Sequence, residues 1–152
     1  MRRLRMVGLI VLGVIVFLIV SALLARALSV DGAERSAITA LIQAEARGRA
    51  EAMMALIQGC RRQPACRVRV REDARTLSRP GRVSILELSP SAGFSLGGTL
   101  GTARVAWQAG RALPVVQCVR VRRAGDVLSG LHVELLELSA RIRTDADCPA
   151  RY

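Results

Sequence analysis

A basic start and an apolar run occupy the first 25 or so of 152 residues. That leaves length for one globular domain and too little for two. The only aromatics are Phe17, Phe94, Trp107 and Tyr152, so a core must be built from Leu, Val, Ile, Ala and Met. The net charge of +11 does not point to nucleic acid, because the arginines are spread along the chain without the stripe and interleaved aromatics such a site needs.

Every basic residue is Arg, and the chain has no Lys and no Asn, a bias that a GC-rich genome produces. From Leu28 onward 19 Arg stand against 12 acidic residues. A solvated basic surface facing anionic lipid or envelope polymer is the expected meaning.

Met6 to Ala25 reads MVGLIVLGVIVFLIVSALLA, 20 residues without a charge. As a helix this run spans about 30 Å, the thickness of a bilayer's hydrocarbon core. Arg2, Arg3 and Arg5 precede it and only Arg26 closely follows. The positive-inside rule then keeps residues 1–5 in the cytoplasm and places the remainder outside. The lipid bilayer is thus an expected partner through Met6–Ala25. Ala25-Arg26-Ala27 fits a signal-peptidase pattern, but the apolar stretch exceeds the usual signal-peptide core of about 7–15 residues, and an arginine inside the cleavage motif is unusual. An uncleaved signal anchor is expected, and either reading exports the domain.

Residues 26–32, with Ser29-Val30-Asp31-Gly32, read as a short linker. Asp31 followed by Glu34 has helix-start character. Ala33 to Ala46 carries Ile38, Leu41, Ile42 and Glu45 at helical spacing. Gly48 marks a break. Arg49 to Gln58 makes a second helical run in which Met53 and Met54 serve as core filler, and Gly59 is placed to end it. Ala65 to Ser78 alternates like a strand at Arg67–Arg71. Val70, Ala74 and Leu77 also recur at helical spacing, and Pro64 suits a helix start. A helix ending before Pro80-Gly81 is the preferred reading.

From there the pattern is β. Strands are expected over 82–88, 99–108, 113–123 and 127–142, separated by turn-forming residues. Helices first and strands after predict an α+β fold, with two or three helices on one face of an antiparallel sheet of about four strands.

Cys60, Cys66, Cys118 and Cys148 all lie beyond the apolar run. An even number in an exported domain implies disulfides. The short loop from Cys60 to Cys66 favours a local bridge, leaving Cys118 to join Cys148 and tie the C-terminal tail to a strand. Zinc is not expected, since no C-x2-C pair occurs and the only histidine, His132, is distant in sequence.

The two short helical runs around Ala46-Arg47-Gly48-Arg49, ahead of a sheet, resemble the opening of nuclear-transport-factor-like, cystatin-like cone domains. There a helix pair closes one end of a curved antiparallel sheet. Many single-pass bacterial membrane proteins resemble the whole layout of basic start, one membrane helix and small exported cone. The resemblance implies a cone interior, and such interiors host enzymes, binders and scaffolds alike.

A catalytic set is not expected. In an extended strand His132 and Glu134 share a face and would make an acid–base pair inside a pocket, with Trp107 as a lining residue. The plainer alternative puts the pair on a hydrated strand face and Trp107 in the core, beside Gly101, Ala103 and Val105. No nucleophile elbow, P-loop or dinucleotide fingerprint is present, and no cofactor or metal is expected. Two functions follow as expectations. One is an extracytoplasmic accessory or interaction domain for a protein or envelope polymer. The other is a small-molecule binder or enzyme using the pocket of Trp107, His132 and Glu134.

Overall fold

A computed structural model describes the backbone of residues 2–90, 99–126, 130–144 and 146–149. It describes their side chains too, apart from those of 2–7, 24–31, 99, 125–126 and 130–131. Residues 91–98, most of the turn-forming stretch expected between the strands over 82–88 and 99–108, and the expected strand start at 127–129 lie outside these residues.

The first element, α1 (Arg2–Ala46), is a single helix of 45 residues. The expected linker over 26–32 is therefore helical, and no helix starts at Asp31. Gly32 costs about 1 kcal/mol in a helix interior. Each further residue still adds a hydrogen bond once the helix is nucleated, so strong helix formers on both sides carry α1 through. Among the described residues no helix is long and apolar enough to cross a membrane; the part of the apolar run with described side chains, 8–23, falls short of the ~20 residues a span requires.

Gly48 ends α1. Its φ of +66° belongs to the left-handed region, and its N–H donates to the Glu45 carbonyl at 2.8 Å. Then α2 (Ala50–Leu56) ends two residues early, because Ile57 turns extended and bridges Leu135 in parallel. Gly59, expected to end α2, instead starts a 3-10 turn over Cys60–Arg62 with φ +72°. Pro64 opens α3 (Pro64–Thr76) at its first turn, where the missing N–H costs nothing. Val70, Asp73, Ala74 and Leu77 form its buried face, so the helical reading of this stretch holds.

The strands are β1 (Val83–Ser89), β2 (Thr99–Ala109), β3 (Val115–Asp126) and β4 (Gly130–Leu138). They form an antiparallel meander in the order β1-β2-β3-β4, the expected α+β architecture with a curved sheet. Irregularities lie between Ile85 and Glu87 and between Arg120 and Val121. Beyond β4, Ser139 and Ile142 still donate to the carbonyls of Cys118 and Val116, so the chain keeps to β3 where a longer strand was expected.

Alternation decides the faces. Ala103, Val105, Trp107 and Ala109 of β2 and Val115, Gln117, Val119 and Val121 of β3 are buried. They pack in one core with Ile38, Leu41 and Ile42 of α1, with Met53 and Met54 of α2, and with Leu135 and Leu138 of β4. Each large aliphatic side chain buried this way contributes about 1.5–3 kcal/mol.

Both disulfides are formed as expected, Cys60–Cys66 and Cys118–Cys148, at sequence separations of 6 and 30. Loop-closure entropy gives about 2 kcal/mol for the short loop and about 3–4 kcal/mol for the long one. Cys118→Ser is therefore expected to lower the urea midpoint more than Cys60→Ser, with equal losses being the contrary result.

Candidate functional site

Trp107 is 0% exposed, and its indole N–H donates to Gln117 Oε1 at 2.8 Å. Its neighbours across and along the sheet are small or β-branched, which leaves room for the ring. His132 lies on the other face, its side chain 61% exposed, with Nε2 3.7 Å from Glu134 Oε1. Glu134 accepts from Gln58 Nε2 at 2.8 Å and from Arg122 at 3.2 Å. The three residues of the alternative pocket are thus split by the sheet, as the plainer reading had them: His132 and Glu134 lie together on a hydrated polar face, and Trp107 belongs to the core. Sequence alternation had placed each within its own strand. Which face turned inward depended on the helices.

On that outer face Arg120 pairs with Glu137 at 3.2 Å, and Arg104 donates to the Thr144 carbonyl. The Cys118–Cys148 bridge fastens the tail over the same side. A groove of about 420 Å³ runs between α3 and β4, lined by Pro64, Val68, Arg69, Val70, Glu72 and Leu138 among others. None of Trp107, His132 and Glu134 borders it. Among the described residues no group of three His, Cys, Asp or Glu side chains is placed to hold a metal ion.

The unusual chemistry sits inside. Gln117 Nε2 donates to Glu45 Oε1 at 2.8 Å and to the Ser139 carbonyl at 3.2 Å. A chain of hydrogen bonds therefore links Trp107, Gln117 and Glu45 across the core, from sheet to helix. Glu45 is fully buried and Asp73 nearly so. Glu45 Oε2 and Asp73 Oδ2 have no hydrogen-bond partner among the described residues. Burial pushes the Glu45 carboxyl up to about 8; the bond from Gln117 opposes this, and the charge of Asp73 adds to it. Burial likewise pushes Asp73 up to about 7, against the pull of Arg69 and with the push of Glu72. Both are acids poised to be neutral in a core closed to solvent. Such groups can hold a proton and stabilise packing, but they lack access to a substrate.

A third buried acid, Glu34, meets Arg123 at 2.7 Å. Sequence reading passed over all three as site residues, although a signal was present. Glu34, Ile38, Leu41 and Glu45 fall in phase on one helix stripe, and Asp73 falls in phase with Val70 and Leu77. A carboxylate in the middle of an apolar stripe has to be buried or to break the stripe.

The fold and its sites define a class: an α+β domain in which one long helix backs an antiparallel meander, pinned by two disulfides. No family model, curated protein or solved structure matches the chain.

Proposed function

We propose that the chain is a single-pass membrane protein that displays an accessory or interaction domain on the extracytoplasmic side. The observation that carries this reading is α1 itself. Over residues 8–23 its apolar side chains point outward on all sides, with Leu9 70% and Phe17 69% exposed, and the same helix then runs unbroken into the domain core. So much apolar surface needs a cover, and a bilayer supplies one for a charge-free run of this length. The arginine asymmetry sets the direction, and two disulfides suit an oxidising compartment. Cleavage after Ala27 would cut within a helix, which favours a retained anchor.

The domain's role is binding rather than catalysis. Trp107 lies in a packed core and His132 on a solvated face, an arrangement that favours the accessory reading over the pocket of a small-molecule enzyme. The partner would be a protein or an envelope polymer, not nucleic acid. The order of elements, helices first and then a curved meander, supports the cone-domain reading of the fold.

Topology is the test. Alkaline phosphatase fused after Tyr152 is expected to be active, and a reporter that works only in the cytosol to be silent there. The reverse pattern would overturn the reading. Membrane extraction is expected to recover the chain with Met6–Ala25 attached, whereas a mature N-terminus at Leu28 would show cleavage.

A further inference from the structure

Helix α1 and strand β3 lie side by side and run in opposite directions. Two contacts set their alignment: Glu34 meets Arg123, and Glu45 meets Gln117. From Glu34 to Glu45 the helix rises about 16 Å. From Arg123 back to Gln117 the strand covers about 20 Å, so the two elements advance nearly in step. The end of the sheet near Arg123 is therefore the end from which α1 arrives.

The ladder does not stop at Arg123. It pairs β3 with β4 as far as Asp126 and Gly130, about 10 Å further toward the apolar run. Ten ångströms of helix is about six or seven residues, so the end of the ladder stands level with about residue 27 of α1. The apolar run ends at Ala25, which puts the end of the ladder about 3–4 Å beyond the hydrocarbon boundary. The headgroup layer on each side of a bilayer is about 5–8 Å thick.

We propose that the end of the β3–β4 ladder, Gly125–Asp126 with Gly130–Leu131, sits in the lipid headgroup layer, with Ala124 and His132 at its outer edge, and makes a second membrane contact beside α1. This rests on the membrane-anchor reading above. The chemistry fits phosphate-bearing headgroups. Gly125 and Gly130 bring backbone close to the surface without side chains. On the outer face above them, the exposed His132, about 7 Å further out along the strand, offers an N–H donor to phosphate oxygens at the outer edge of the layer. With helix and ladder both seated, the strands stand upright on the membrane and the domain cannot swivel about its anchor. The opposite turn, at Gly110–Arg111, then lies on the order of 35–40 Å further out.

Depth measurement on the full chain tests this in phosphatidylcholine–phosphatidylglycerol vesicles. Nitroxide labels are placed singly through Val16→Cys, Asp126→Cys and Arg111→Cys, and collision with a water-soluble nickel chelate is read for each. Unchanged Trp107 emission verifies the fold of each labelled protein; if Asp126→Cys does not fold, the exposed His132→Cys carries the label instead. The expected result is near-complete loss of collision at Val16, severalfold loss at Asp126 and full collision at Arg111. Loss at Val16 with Asp126 as accessible as Arg111 would overturn the second contact and leave the anchor standing. Full collision at Val16 would overturn the anchor, and the second contact with it.

Discussion

Unfolding of the domain, followed by the emission of its single tryptophan, is expected to become easier as pH rises from about 4 to about 8. The cause is the pair of buried acids. Asp73 and Glu45 ionise near 3.8 and 4.5 when exposed, but burial pushes them up to about 7 and about 8 in the folded protein. Below the lower values both states hold the protons, and the stabilisation by the neutral, buried acids is fully present. Between the lower and the higher values the unfolded chain releases protons that the folded chain keeps, so stability falls with rising pH. Above the folded values the loss is complete. Each unit of difference is worth about 1.4 kcal/mol, so Glu45 alone brings the effect to several kcal/mol. Most domains lose stability toward acid for the opposite reason, their carboxylates being held ionised.

The variant that isolates Glu45 is Glu45→Gln. Its amide oxygen still accepts from Gln117, and it carries no proton to lose. Urea unfolding should match the parent near the exposed-carboxyl value of about 4 and exceed the parent on the alkaline side of the folded value of about 8. A residual slope from Asp73 should remain. If the variant and the parent declined equally over that range, the buried-acid account would be wrong.

The second large effect is expected at Arg123. Its guanidinium lies 2.7–2.8 Å from Glu34 Oε2, and Glu34 is fully buried. The pair fastens α1 to β3 where the helix enters the domain. Arg123→Ala removes the main counter-charge and leaves a carboxylate in the core. Breaking a buried pair from one side costs about 3–5 kcal/mol. Replacing both partners with methionine restores packing without a stranded charge, so the double variant should lie near the parent. Equal losses in the single and double variants would show that the pair's other contacts, rather than its charges, hold the helix. Denaturant midpoints read by Trp107 emission decide the matter, since the ring lies well away from the substitution along the sheet.

The sequence by itself determined the elements, their order and the covalent frame. Strand alternation in β2 and β3, glycine-marked turns and the stripe of Val70, Ala74 and Leu77 are local signals, because side-chain direction repeats every two residues in a strand and about every 3.6 in a helix. The disulfides were legible for a similar reason: six residues of chain around Pro64 leave Cys60 little choice of partner. Only the tertiary structure decided three other things. The stretch over Ser29–Gly32 has the composition of a linker, yet it is helical because helix on both sides propagates through it. The inward face of β4 was undetermined until α1, α2 and Ile57 covered one side, which left His132 in water and Trp107 in the core. The fates of Glu34 and Glu45 depended on residues 28 to 89 positions away in sequence, and that of Asp73 on the packing that buries it. Burial is a property of what packs on a residue, and no local pattern records which distant side chain will supply a counter-charge, a hydrogen bond or neither.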